Sequence, residues 1–153
     1  MGNIAHPARA VVATPFGPVT LVDAGGVLVR LEWRDDPGEG SPLLEEAARQ
    51  MQAYFDRRLT HFDLPFEWGE GLHASVRRAM ADIPFGETRT YGRIAKAVGA
   101  PAQAVGQACG ANPLPILIPC HRVTGTDWFG GFSAPGGVET KAALLRHEGA
   151  LLI

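Results

Sequence analysis

The segment Ile116-Leu117-Ile118-Pro119-Cys120-His121-Arg122-Val123 constrains this chain more than any other stretch. Its three large aliphatic residues call for burial. Pro119 cannot donate a ladder hydrogen bond, so the apolar run has to stop there and leave Cys120 at a rim. The pattern predicts a short buried strand over residues 114–118 that delivers a cysteine to an edge. An imidazole and a guanidinium follow directly. The thiolate is the nucleophilic form, and a neighbouring cation lowers a thiol's pKa, so Cys120 is expected to be reactive with its pKa depressed.

The rest of the chain bounds what such a cysteine serves. No uninterrupted apolar stretch approaches the ~20 residues of a membrane span, and the N-terminus lacks a cationic segment followed by an apolar core. Two cysteines without a visible secretory signal point to free thiols in a reducing cytoplasm. No cofactor is expected. No metal is expected either, because His6, His61, His73, His121 and His147 show no ligand spacing. A net charge of −2 conceals an uneven distribution: residues 1–70 carry −5 and residues 71–153 carry +3. The C-terminal half can attract a polyanion with modest, salt-sensitive affinity.

Breakers divide the chain into short elements. Residues 10–14 and 19–23 flank a Pro15-Phe16-Gly17-Pro18 turn as a β-hairpin, and Gly25-Gly26 leads into a third strand over 27–33. Residues 43–58 carry Leu44, Ala47, Met51 and Tyr54-Phe55 at the spacing of an amphipathic helix. A linker over 62–71 separates a first domain, 1–67, from a second, 68–153. The second reads as a helix over 72–81 and two short helices over 93–98 and 102–110, turned at Gly99 with Pro101 at a first helical position. A Gly-rich loop over 125–137 and a last helix over 138–147 follow the cysteine. The pair around Gly99 fits a helix-turn-helix.

The run Asn112-Pro113-Leu114-Pro115-Ile116-Leu117-Ile118-Pro119-Cys120-His121-Arg122-Val123 closely resembles the active-site signature of the O6-alkylguanine-DNA alkyltransferases, the methylated-DNA–protein-cysteine methyltransferases. Thr14-Pro15-Phe16-Gly17, Ile83-Pro84-Phe85-Gly86-Glu87-Thr88 with Tyr91-Gly92, and residues 141–149 agree in the same order. The resemblance implies an α+β protein with a ribonuclease H-like α/β N-terminal domain and a winged-helix C-terminal domain. It implies a monomer that binds double-stranded DNA through the minor groove, flips an O6-alkylguanine into a pocket, and takes the alkyl group permanently onto the cysteine.

Carried over by residue, the resemblance makes Cys120 the acceptor, His121 the group that takes the thiol proton, and Glu148 the carboxylate that orients the imidazole. Asn112 would brace the recognition-helix turn, and Tyr91 would rotate the target phosphate and donate to the departing base. Pro115, Val123, Ser133 and Phe132 would form the pocket, with the Cys120 and Val123 carbonyls accepting from the guanine amine. Tyr91, Gln103, Ala104, Gly106 and Arg122 would meet DNA, small side chains on the second short helix permitting close approach, with Arg122 bracing the fold or the DNA face rather than doing chemistry. Departures are visible: Gln103 stands where the family has an arginine finger, Gly110 replaces a basic position, and the loop after the cysteine is long. A glutamine cannot stack as a guanidinium does. The exchange leaves room for a non-repair relative: a lesion binder, an alkylation- or redox-sensing regulator, or an acceptor for a non-DNA alkyl donor.

Overall fold

A computed structural model describes residues 6–127 and 130–151. Expectations resting on residues 1–5, and on 128 and 129 within the long loop, lie outside the described residues. The chain forms two compact units, Met1–Glu67 and Trp68–Ile153.

In the first unit β1 (Ala8–Thr14), β2 (Gly17–Ala24) and β3 (Val27–Glu32) make an antiparallel meander in that order. Thr14 pairs with Gly17, so only Pro15 and Phe16 turn the first hairpin, and the Thr14 hydroxyl bonds both Gly17 O and Phe16 N. At the second, Gly25 and Gly26 both take positive φ (66° and 91°), the geometry that matches hairpin twist and that side chains resist. Helix α1 (Pro42–Phe55) starts where Ser41 accepts from Leu44 N and Pro42 presets the first turn. It buries Leu44, Ala47, Met51 and Tyr54 against the sheet, Leu44 and Met51 each worth ~1.5–3 kcal/mol on transfer from water. The helix ends at Phe55 rather than 58, because Arg57 turns left-handed (φ 62°) and Arg58 N closes on Ala53 O. The predicted linker is partly sheet: Leu28 N donates to Pro65 O and Glu67 N to Leu28 O, a parallel bridge centred on Phe66.

The second unit runs α2 (Gly71–Ala81), β4 (Arg89–Thr90), α3 (Tyr91–Val98), α4 (Ala102–Gly110), a 3-10 turn (Cys120–Arg122), β5 (Val123–Thr124) and α5 (Val138–His147). Helices α2, α3 and α4 pack on one another around Val76, Met80, Ile94 and Val105. Gly99 closes α3 in the left-handed conformation (φ 72°, ψ 39°). Pro101 sits one place earlier than predicted: with ψ 146° it is the N-cap of α4, its carbonyl accepting from Val105 N, and Ala102 is the first helical residue. Strands β4 and β5 pair in parallel, Arg89 with Val123 and Thr90 with Thr124.

The strand predicted over 114–118 is absent. These residues are buried as expected, but they coil into a tight turn with Ile118 N on Leu114 O (2.8 Å) and Ile116 at φ 72°. Prolines at 113, 115 and 119 strip the run of donors a sheet would need, so hydrophobicity is satisfied without a ladder.

Candidate active site

Asn112 builds the turn that carries the cysteine. Its Nδ2 donates to Ile118 O (2.9 Å) and its Oδ1 accepts from Leu114 N (3.1 Å), so one side chain pins both ends of the turn. It also holds Ile116, a β-branched residue, in a left-handed conformation it would not choose alone. Pro119 (φ −79°, ψ 68°) then makes an inverse γ-turn, with Cys120 N on Ile118 O at 2.7 Å. The chain reverses sharply and presents Cys120, half-buried, to a pocket of about 180 Å³.

Tyr91, Asn112, Pro115, Phe132 and Ser133 line that pocket with Cys120, and Gly106 and Gly110 of α4 complete one wall. Pro115, Phe132 and Ser133, which the resemblance assigns to a pocket, are thus among the residues that line this one. Val123 does not: it is fully buried, it lies outside the pocket lining, and its carbonyl accepts from Lys141 Nζ at 2.6 Å. The Cys120 carbonyl likewise accepts from Val123 N. Any further acceptance by either carbonyl has to use its second lone pair.

Behind the cysteine lies a buried polar cluster. His121 Nε2 is 2.8 Å from Glu148 Oε2, and both side chains are fully shielded from solvent. Arg122 Nε donates to Glu148 Oε1 (2.8 Å), Nη2 to Oε2 (2.9 Å) and Nη1 to Ile83 O (2.7 Å). Arg122 was expected to brace the fold or the DNA face. At 6% exposure, with Nε, Nη1 and Nη2 all bonded to Glu148 and Ile83, it is a buried brace.

The protonation states follow from this geometry. Burial alone would raise the Glu148 carboxyl, but hydrogen bonds from His121 and Arg122 outweigh it and hold it at about 2. An ionised carboxylate only accepts, so Nε2 carries a proton. Burial pushes the His121 pKa below its ordinary value despite that carboxylate, with the Arg122 and Lys141 charges acting in the same direction. The ring is therefore neutral, and its Nδ1, buried without a protein partner, is left with a lone pair. A histidine in this state is a base.

The cysteine departs from its expected acidity. Burial raises the Cys120 thiol, against the lowering pull of an Asn112 hydrogen bond and the Lys141 charge. The adjacent residues do not act as the activating cations the sequence suggested, because Arg122 is neutralised by Glu148 and His121 is uncharged. At rest the group is a thiol and needs a base to react.

Two side chains of this site escaped the sequence reading. Lys141 is wholly buried, donates to Val123 O and Gly131 O (3.3 Å), and stands 5.8 Å over the Tyr91 ring. Burial brings its pKa down to about 8, opposed by the Cys120 and Cys109 charges. The signal was present: Lys141, Leu144, Leu145 and Glu148 share one helical face, where two charges interrupt an apolar stripe. Cys109 also lines the pocket, and burial pushes its thiol up to about 12. Of the remaining expected contacts, Gln103 is exposed and Ala104 half-buried on α4, and Tyr91 is half-buried at the start of α3. Among the described residues no cluster of three or more metal-ligating side chains occurs, and no helix is long and apolar enough to cross a membrane.

Comparison with known proteins gives a consistent result. Residues 71–150 match the family model described as 6-O-methylguanine DNA methyltransferase, DNA binding domain. A Mycobacterium tuberculosis methylated-DNA–protein-cysteine methyltransferase is 40% identical over 153 residues, covering 90% of this chain and 89% of its own. A Methanosarcina acetivorans protein of the same name is 38% identical over 154 residues, covering 92% and 97%. The crystal structure of Mycobacterium tuberculosis OGT in complex with DNA superposes with a TM-score of 0.81 at 39% identity, covering 94% of this chain and 93% of that one. An O6-methylguanine DNA methyltransferase from Methanococcus jannaschii superposes at 0.67 with 27% identity, covering 94% and 95%.

Proposed function

The chain belongs to the 6-O-methylguanine DNA methyltransferase family, and from that premise we propose that it repairs DNA by moving the alkyl group of an O6-alkylguanine onto Cys120 in one irreversible displacement. The observation that carries this reading is the pocket-facing thiol set beside a neutral, carboxylate-anchored imidazole. His121 Nδ1 takes the thiol proton, through a bridging water, and the thiolate attacks the alkyl carbon in line with the C–O6 bond. The S–C bond forms, the C–O6 bond breaks, and the electron pair leaves with the guanine. Tyr91 donates a hydrogen bond to the departing base. The product is a thioether with no leaving group to return, so each molecule acts once.

The target carbon is inaccessible in a stacked duplex, which requires the base to be extruded into the pocket. In this reading the second unit is a winged helix that lays α4 in the minor groove, where Ala104 and Gly106 permit close approach, and the first is a ribonuclease H-like scaffold. The protein works as a cytoplasmic monomer. Gln103 in place of an arginine, on a helix without a lysine or arginine, favours modest duplex affinity over any loss of chemistry. Intact-mass analysis after mixing with an O6-methylguanine oligonucleotide tests the whole: the protein gains one methylene and stops at one equivalent, whereas Cys120→Ala gains nothing. Methylation of that variant, or turnover beyond one equivalent, would sink the proposal.

A further inference from the structure

We infer that Gly130 is a positioning residue for Tyr91: the space left by its missing side chain is the seat that sets the phenol over the pocket. The inference rests on the role given to Tyr91 above, and it concerns a residue that touches no reacting atom.

Gly130 is buried with φ 79°. A Cβ built there would lie 2.7 Å from Tyr91 Cε2 and 2.9 Å from Cζ, and closer still to the hydroxyl. Real Cβ atoms do not come so near, and the obstacle is a rigid ring with few ways to yield. The close approach is local. At Gly131 and at Gly106, which line the same pocket, a Cβ would meet nothing within 4 Å. Position 130 therefore needs glycine twice over, for its left-handed backbone and for the ring against it.

The other faces of Tyr91 are also set. Thr90, the preceding residue, is paired with Thr124 of β5 and caps α3 by accepting from Arg93 N, which fixes the backbone. Lys141 Nζ stands 5.8 Å over the ring and donates to Gly131 O, tying down the loop next to the seat. The phenol is thus held between a backbone and a buried cation. Burial in this place pushes its pKa up to about 12.

The test combines single-turnover alkyl transfer from an O6-methylguanine duplex with NMR of tyrosine-labelled protein, using Gly130→Ala, Tyr91→Phe and the double variant. Each single change is expected to slow transfer about tenfold, the scale of a lost hydrogen bond to a developing charge, and the double variant to be no slower than the slower single. Wild-type Tyr91 stays protonated at pH 10.0, the ordinary midpoint of a tyrosine, whereas in Gly130→Ala it ionises there. Gly137→Ala controls for backbone strain alone, since Gly137 also has positive φ (51°) and its Cβ would meet only Phe132 O at 3.9 Å. That control keeps the wild-type titration and transfers within about twofold of wild type. If Gly130→Ala does not fold, adding Tyr91→Leu restores folding by vacating the clash; failure to do so counts against the seat. Multiplicative losses in the double variant, or an unchanged titration in Gly130→Ala, would overturn the inference. The two readings fail separately. A normal rate in Tyr91→Phe with a shifted titration in Gly130→Ala removes the phenol from the chemistry but leaves the seat. A slow Tyr91→Phe with a silent Gly130→Ala does the reverse.

Discussion

At the scale of single residues, the decisive quantity is the proton on His121. The ring is neutral because burial outweighs its carboxylate, so its capacity as a base should persist below the ordinary imidazole value of 6.5. Single-turnover transfer is expected to hold level as pH falls through 6.5 and to decline only below it; a midpoint at or above 6.5 would contradict the buried neutral ring. Glu148→Gln takes the charge from beneath both His121 and Arg122. It leaves a buried guanidinium uncompensated, which costs ~3–5 kcal/mol of stability, and it permits the wrong tautomer. Transfer should fall by at least ~100-fold, read against Cys120 accessibility to a small thiol reagent. The sequence singled out Cys120, His121 and Asn112 through one signature and Glu148 through a separate segment, 141–149, and the fold brings His121 and Glu148 together. It did not disclose the acidity of the thiol, because acidity depends on what neutralises Arg122, and that partner lies 26 positions away. Lys141 was easily passed over, since a lysine on a helix ordinarily faces water and only its place on an apolar face argued otherwise.

At the scale of elements, punctuation was the readable part. Helices α4 and α5 begin and end as predicted because Pro101, the Asn112-Pro113 pair, Gly137 and Gly149 leave the backbone little choice. The segment 114–118 misled because an apolar run announces burial, not conformation; only the three prolines argued against a strand. Asn112→Ala removes both pins of that turn and is expected to cost ~1–3 kcal/mol, measurable as a lowered thermal midpoint, with a larger loss in transfer as Cys120 drifts. Helix α4 makes a separate prediction. With no lysine or arginine along it, α4 itself adds nothing to the salt-dependent part of duplex binding, and Gln103→Arg should tighten binding about fivefold or more and steepen its salt dependence while transfer from free O6-alkylguanine stays the same. A variant that accelerates both equally would show that α4 influences chemistry rather than DNA handling.

For the whole molecule, the buried groups set the pH range in which it stays folded. The folded pKa of His121 is lowered, so the unfolded chain binds the extra proton first and stability drains as pH falls below 6.5. Glu148, lowered from 4.5 to about 2, adds a second loss below 4.5. Lys141 acts at the other end: its pKa of about 8 against 10.5 makes stability rise as pH climbs between those values. Burial of Cys109, raised from 9.0 to about 12, opposes this above 9.0. Thermal midpoints should therefore fall in two stages on acidification, and His121→Asn should abolish the first. None of this was legible from composition, which gives only a mild net charge; the titration behaviour comes from groups the fold removes from water.

Glu148 caps the last described helix, so the carboxylate on which the imidazole depends reaches the site from a segment separate from the one that bears the nucleophile. Losing that segment would spare the sulfur, and most antisera would still recognise the polypeptide, yet it would be chemically mute. Abundance would then misreport repair capacity, and only counting transferred alkyl groups would reveal the deficit.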